Sequence, residues 1–478
     1  VVRGYLLAAE AAVDDNTYPP YPAGIDLERG LAVRGGKVDL GHGTLRIRDW
    51  RSGIARGGLR AQRMVIDGPS PWDIVPLDGY VAEDAPAGAK AYGHILRPRP
   101  RCRFSQWSGD VALDALTVNG GLYLLRRGTL EADRAEVGGT AFVYGTPTFV
   151  QRGGEASFGR FSLGGYFSLY VTHGITNASG DDVPFDTGSL GQVSSSGGRF
   201  TAGTIDLRGG IGPATFTQTG GRVEATDYLR IKGSQADYLR TTGGEAAYRM
   251  LGGSLTVGTL EVGSRYATDT SDGLATLALM SPVADVHVTE RMTLAHGSRL
   301  LARRGAAIHL TGTDDDTGTR PGTTFDILSA DEHALAGLNA LALVFEGGLG
   351  GWSTLEVGGV DYGFSNSGFF ENFALEELHV GGKADAALLR LVDLVDNQPD
   401  WTGDEALYVE RLFITEGSWL DPAGLNIYYL EGHFPDVGGR FTCDDEGSRG
   451  SLTLLPEPAT LALLAAGLGA LLRRRRRA

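Results

Sequence analysis

The sequence predicts an all-β fold: a β-solenoid (parallel β-helix) body followed by a C-terminal hydrophobic helix. Three observations predict it. Glycine is abundant, 72 of 478 residues, without a Gly-X-Y period, which excludes collagen. Gly-Gly pairs recur at Gly197-Gly198, Gly220-Gly221 and Gly243-Gly244, 23 residues apart, and Gly153-Gly154 lies 44 residues earlier, close to two periods. Short alternating segments flank the pairs, such as Phe216-Thr217-Gln218-Thr219 before and Tyr228-Leu229-Arg230-Ile231 after.

Each observation has a geometric reason. A coil of two or three short strands needs sharp corners, and glycine adopts positive φ there without a Cβ clash. Coils stack at about 4.8 Å, so Ile205, Leu207, Leu229 and Ile231 would form apolar ladders inside the stack. One coil cannot bury its own face, so repetition is obligatory. Tandem β-sandwiches are the alternative, because short strands and glycine turns suit that class too.

Taken along the chain, residues 1–105 form an irregular N-terminal β region, with Thr44-Leu45-Arg46-Ile47-Arg48 alternating as a strand. Residues 106–280 carry the Gly-Gly repeats. Residues 281–450 hold a second repeat, in which the segments beginning Glu290-Arg291 and Glu410-Arg411 share Glu-Arg, Gly-Ser and Leu at an offset of 120. One helix is expected there, from the capping box Ser329-Ala330-Asp331-Glu332 ahead of Leu335, Leu338 and Leu341. The segment beginning Asp393-Leu394-Val395-Asp396 reads as a polar loop. Residues 451–478 form a separate tail. The chain opens Val1-Val2-Arg3 with an apolar run too short for a secretory leader, which suggests a truncated or processed start.

The tail has three parts. Pro456, Glu457 and Pro458 precede an apolar run over residues 459–472, including Ala459, Leu464 and Leu472. Arg473, Arg474, Arg475, Arg476 and Arg477 follow. The apolar run prefers lipid, and as a helix it satisfies its own backbone. At about 1.5 Å per residue it is short of a full bilayer core. The arginines resist crossing and hold that end on the cytoplasmic side. This order resembles the PEP-CTERM sorting signal of Gram-negative, often biofilm-forming bacteria, and the Gly-Gly repeats are similar to those of autotransporter-type β-helical surface proteins. The resemblance implies that an exosortase, a membrane-embedded cysteine protease, processes the tail near Pro456-Glu457-Pro458. It implies an envelope, surface or extracellular location, with the tail in the inner membrane before processing.

The rest of the chain offers no compact chemistry. Formal net charge is −15, so nucleic acid and anionic lipid are not expected partners. Two cysteines, Cys102 and Cys443, have no metal spacing between them. Asp314-Asp315-Asp316 and Asp181-Asp182 lack a calcium-loop order. His287, His296 and His309 share one repeat region but lack a zinc spacing. No nucleophile elbow, phosphate loop or dinucleotide fingerprint occurs. No catalytic residue, cofactor or metal is therefore assigned. Trp352, Trp401, Trp419, Tyr428 and Tyr429 are aromatics able either to fill the core or to stack on sugar rings. The expected role is a structural or adhesive surface or matrix protein. Polysaccharide binding is the alternative, and a β-helical polysaccharide lyase or hydrolase a more distant one.

Overall fold

The computed structural model describes residues 5–7, 24–27, 32–47, 52–66, 72–76, 94–98, 102–119, 121–138, 147–164, 191–209, 213–233, 244–264, 273–312, 324–363, 365–370, 372–382, 385–399, 401–403, 405–433, 440–441 and 452–454. Strand dominates these residues, and the pairing is parallel almost throughout. Antiparallel pairs join Trp72–Pro76 with His94–Pro98, and Gly359–Val360 with Glu405–Ile414. Sandwiches are built from antiparallel pairs, so the structure is solenoid-like and the sandwich alternative falls. The chain divides into two compact units, residues 1–256 with 262–278, and residues 257–261 with 279–478.

In the first unit each coil has a short strand, a glycine corner and a longer strand. The short strands Cys102–Gln106, Gly121–Leu125, Thr148–Gln151, Gly191–Ser195, Ala214–Gln218 and Ala246–Met250 pair in register, each with the next. The long strands Asp110–Val118, Thr129–Val137, Glu155–Leu163, Arg199–Arg208 and Arg222–Lys232 do the same. Register places like on like. Ile205 pairs with Leu229 and Leu207 with Ile231, and all four are fully buried. Phe104, Tyr123, Phe149, Phe216 and Tyr248 share another buried column. Tyr123 stacks on Phe149 at 5.4 Å, and Phe216 on Tyr248 at 4.9 Å. Each such ring removed from water contributes roughly 1.5–3 kcal/mol.

The corners lie at Gly109, Gly128, Gly154, Gly198, Gly221 and Gly253. At Gly198 and Gly221 φ is +81° and +74°. A Cβ on Gly221 would strike the backbone of Gly197 and Gly198, and one on Gly253 the backbone of Gly220 and Gly221. Two sequence expectations are corrected here. Gly244 does not continue the corner column, and Gly243 lies outside the described residues. Gly252-Gly253 continues it, while the Gly244 backbone packs against Gly209. The 44 residues from Gly154 to Gly198 make one coil, because Glu155 pairs directly with Arg199. Extra residues between a long strand and the next short strand leave register untouched, so the corner column persists without a fixed period.

The second unit stacks Asp285–Leu294, Ala306–Leu310, Leu341–Phe345, Leu375–Val380, Glu405–Ile414 and Asn426–His433 in parallel. Val286, Ile308, Leu343, Leu378 and Leu412 form one inward column, all fully buried. The Gly-Ser repeats adopt one turn: Gly297 and Gly417 have φ +71° and +77°, and Ser298 and Ser418 each donate a backbone N–H three residues back. The expected helix is replaced by a 3-10 turn at Ala336–Ala340. Asp331 Oδ1 accepts the Ala334 N–H, but Leu341 already begins a strand, which leaves too few residues for an α-helix.

Candidate functional site

The second unit interrupts its stack with two segments. One, residues 357–374, follows Gly348–Glu356. The other, residues 393–404, follows Ala387–Val392 and contains the polar stretch that reads as a loop in the sequence. Both are fixed from below by buried polar side chains.

Beneath the second segment lie two carboxyl groups, Glu356 at 2% and Glu405 at 4% exposure. Glu356 Oε1 accepts the N–H groups of Leu394 and Val395 at 2.8 and 2.7 Å. Glu405 Oε1 accepts the Asn397 N–H at 3.0 Å. Asn397, itself buried, donates Nδ2 to the carbonyls of Ile327 and Ser329. Gln398 Nε2 donates to the Gly358 carbonyl at 3.0 Å, and the Trp401 N–H to the Gln398 carbonyl at 2.8 Å.

Burial pushes the Glu356 carboxyl up to about 7. The two backbone N–H groups oppose that rise, and Asp393 and Asp326 add to it. Burial pushes Glu405 up to about 8, with Asp393, Glu356 and Asp396 adding repulsion. Glu405 Oε2 and Asn397 Oδ1 are buried acceptors with no hydrogen-bond partner. A proton on Glu405 turns one of these acceptors into a donor, so the neutral acid suits the site.

The first segment is pinned by other groups. Asn372 accepts the Val360 N–H with Oδ1 at 2.7 Å and donates Nδ2 to the Val360 carbonyl at 2.9 Å. Asn372 and Phe373 both carry positive φ, 147° and 55°, strain of about 1–3 kcal/mol per residue that surrounding contacts must hold. The Tyr408 hydroxyl donates to the Gly363 carbonyl and accepts the Tyr362 N–H, both at 2.9 Å. Asp361 accepts from the Tyr428 hydroxyl at 2.9 Å and from Asn426 Nδ2. Burial and Asp361 push Tyr428 up to about 12.

The outcome is an exposed aromatic pair. Tyr362 is 51% and Trp401 41% exposed, with ring centroids 6.3 Å apart. No family model, curated protein or solved structure matches this chain.

The five aromatics singled out in the sequence therefore separate. Trp401 is presented to solvent, whereas Tyr428 and Tyr429 are buried. Trp352 lies under the Arg390 guanidinium at 5.0 Å, and Trp419 is half-buried opposite Leu388. Tyr362, Glu356 and Glu405 went unnoticed in the sequence. Nothing local distinguishes a glutamate at an inward strand position from one facing water until the coil is closed.

The sorting motif Pro456-Glu457-Pro458, the apolar run with Ala459, Leu464 and Leu472, and the arginines 473–477 lie outside the described residues. So do Asp181-Asp182, Asp314-Asp315-Asp316 and Cys443. Among the described residues no helix is long and apolar enough to cross a membrane, and no His, Cys, Asp and Glu group is arranged for a metal ion. Gly197, Gly198, Gly220 and Gly221 sit at corners, as above.

Two further arrangements emerge. In the first unit a groove of about 750 Å³ is lined by Asp39, His42, Arg60, Asp114, Glu131 and Asp133, among others. His42, Arg60, Asp114, Glu131 and Asp133 are exposed. In the second unit, register collects scattered histidines into one outward column: His287, His309, Val344, His379, Phe413 and His433. His287 stacks on His309 at 4.7 Å, and Phe413 lies between His379 and His433 at 4.3 and 4.5 Å. An acid two residues earlier pairs with three of them: Asp285 with His287, Glu377 with His379 and Glu431 with His433, at 3.0, 2.7 and 2.8 Å. The acid-x-His spacing was legible, because residues i and i+2 of a strand share a face.

Proposed function

We propose that the chain is an exported structural or adhesive protein of a bacterial cell surface or extracellular matrix. The observation that carries this reading is the tail: Pro456-Glu457-Pro458, an apolar run and five arginines, in an order that suits membrane sorting and resembles a PEP-CTERM signal. An exosortase-type protease is then the partner that handles the tail, and the inner membrane its first destination. The body supports the same reading. Its strands pair with coil neighbours, its core is ladders of apolar and aromatic side chains, and its outward faces are polar. Such a stack is suited to persistence outside the cell and to presenting surface loops.

Fusion of residues 451–478 to a secreted reporter tests the proposal. Retention of the reporter at the membrane, followed by loss of the tail in cells containing an exosortase, is the expected result. A reporter released intact with its tail and never membrane-associated would falsify it.

A further inference from the structure

We infer that the Tyr362–Trp401 pair is a binding site for neutral polysaccharide. Three observations converge. Both rings are substantially exposed, whereas most tyrosine and phenylalanine side chains among the described residues are buried, Phe370 being another exposed one. Both are held rather than loose: the Tyr362 backbone by Tyr408, the Trp401 backbone by Gln398, and each supporting segment by buried Asn372, Asn397, Glu356 or Glu405. Strain at Asn372 and Phe373 lies in the segment that carries Tyr362. Rigid aromatic rings lose little conformational entropy on binding, so the arrangement is built for contact.

Size and charge select the occupant. A Tyr or Trp side chain offers 150–250 Å², so two half-exposed rings supply roughly 200 Å². A stable protein interface needs about 800 Å² per partner, four times more. A pyranose presents an apolar C–H face that a single ring covers and hydroxyls at its rim. Asp396, exposed on the segment that carries Trp401, offers a carboxylate acceptor for those hydroxyls, whereas Asp361 is taken up by Tyr428, Asn426 and the Gly363 N–H. The segments that carry the pair are acidic: Asp361 adjoins Tyr362, and Asp393 and Asp396 precede Trp401. A uronate or sulfated chain would be repelled there. A neutral hexose or N-acetylhexosamine chain meets no such penalty.

The inference rests on the adhesive reading only for the biological source of the glycan, since binding is measurable on purified full chain. The probes are β-1,4-linked glucose and N-acetylglucosamine hexamers, with polygalacturonate as the acidic comparator, in calorimetry or tryptophan fluorescence. At least one neutral hexamer is expected to bind and to shift Trp401 emission. Trp401→Ala and Tyr362→Ala are each expected to lose roughly fivefold to tenfold in affinity, and Tyr362→Phe to retain it. Both alanine changes lie at exposed positions, and an unchanged melting transition shows that the fold survives. Absence of binding by either neutral hexamer, undiminished binding in both alanine variants, or preference for polygalacturonate would overturn the site. None of these outcomes touches the reporter-fusion result, so failure of the site and failure of the export reading are distinguishable.

Discussion

The two units solve one problem differently: what to do with polar side chains inside a stack of coils. In the first unit the buried polar groups that stitch the corners are neutral amides. Gln106, Gln151 and Gln218 are fully buried, each three residues before a corner glycine. Each donates Nε2 to the carbonyl of the glycine three residues on, and again to a carbonyl of the adjacent coil. In the second unit the interior groups beneath residues 393–404 are carboxyls, Glu356 and Glu405. An amide bonded to backbone stitches coils together at any pH. A carboxyl beneath an inserted segment makes that segment sensitive to proton concentration. The repetitive unit is scaffold, and the interrupted one carries the exposed aromatic pair.

The largest expected effect separates corner geometry from ordinary turns. Gly198→Val places a branched side chain at φ +81° against the Gly153–Gly154 backbone. It is expected to cost about 3 kcal/mol or more in the first unit, as a steric clash added to backbone strain. Gly363→Ala, at φ +62° with open space around it, is expected to cost only about 1–2 kcal/mol. Denaturant unfolding of the two variants measures both. Equal losses would mean that close stacking of corners contributes nothing.

The next effect distinguishes the interiors by pH. Folded Glu356 and Glu405 titrate at about 7 and about 8, above the unfolded value near 4.5. Between those limits the folded state binds more protons than the unfolded one, so stability falls as pH rises. It is greatest below about pH 4.5 and declines through the 4.5–8 window, on the order of 3 kcal/mol for Glu356 alone. The groups bearing on this pair are Asp326, Asp393 and Asp396. Hydrogen exchange of the Leu394, Val395 and Asn397 amides should accelerate over that window beyond the intrinsic pH dependence, while amides at the first unit's corners should not. Glu405→Gln, which supplies a permanent donor, should reduce the decline to the share of Glu356 and protect the Asn397 amide at pH 9. A profile unaltered by Glu405→Gln would break the contrast.

Much of the first unit was legible in the sequence, and the reason lies in particular residues. Leu207 and Ile231 alternate beside Gly-Gly corners, and a two-residue period with positive-φ punctuation leaves few folds to choose from. Gly244 misled because composition does not say which glycine turns: Gly252-Gly253 repeats the dipeptide, and Gly253 holds the corner. The aromatic site was half legible. Trp401 directly follows a recognisable polar loop, whereas Tyr362 follows a glycine-rich strand end and resembles many buried tyrosines here. Its backbone is fixed by the hydroxyl of Tyr408, 46 positions away. Glu356 and Glu405 were hidden for the same reason, since their burial is set by coils closing over them from distant sequence.

Within the first unit the three glutamines are not equivalent, and that gives a smaller effect. The hydroxyls of Tyr123 and Tyr248, each in the following coil, donate to Gln106 and Gln218 Oε1 at 2.6 and 2.7 Å. Gln151 Oε1 is buried without a partner. Gln218→Leu strips two carbonyls and a tyrosine hydroxyl of their partner and is expected to cost about 2–3 kcal/mol. Gln151→Leu leaves no hydroxyl orphaned and should cost about 1 kcal/mol less. Equal losses in thermal unfolding would mean that the tyrosine hydroxyl adds nothing to the amide.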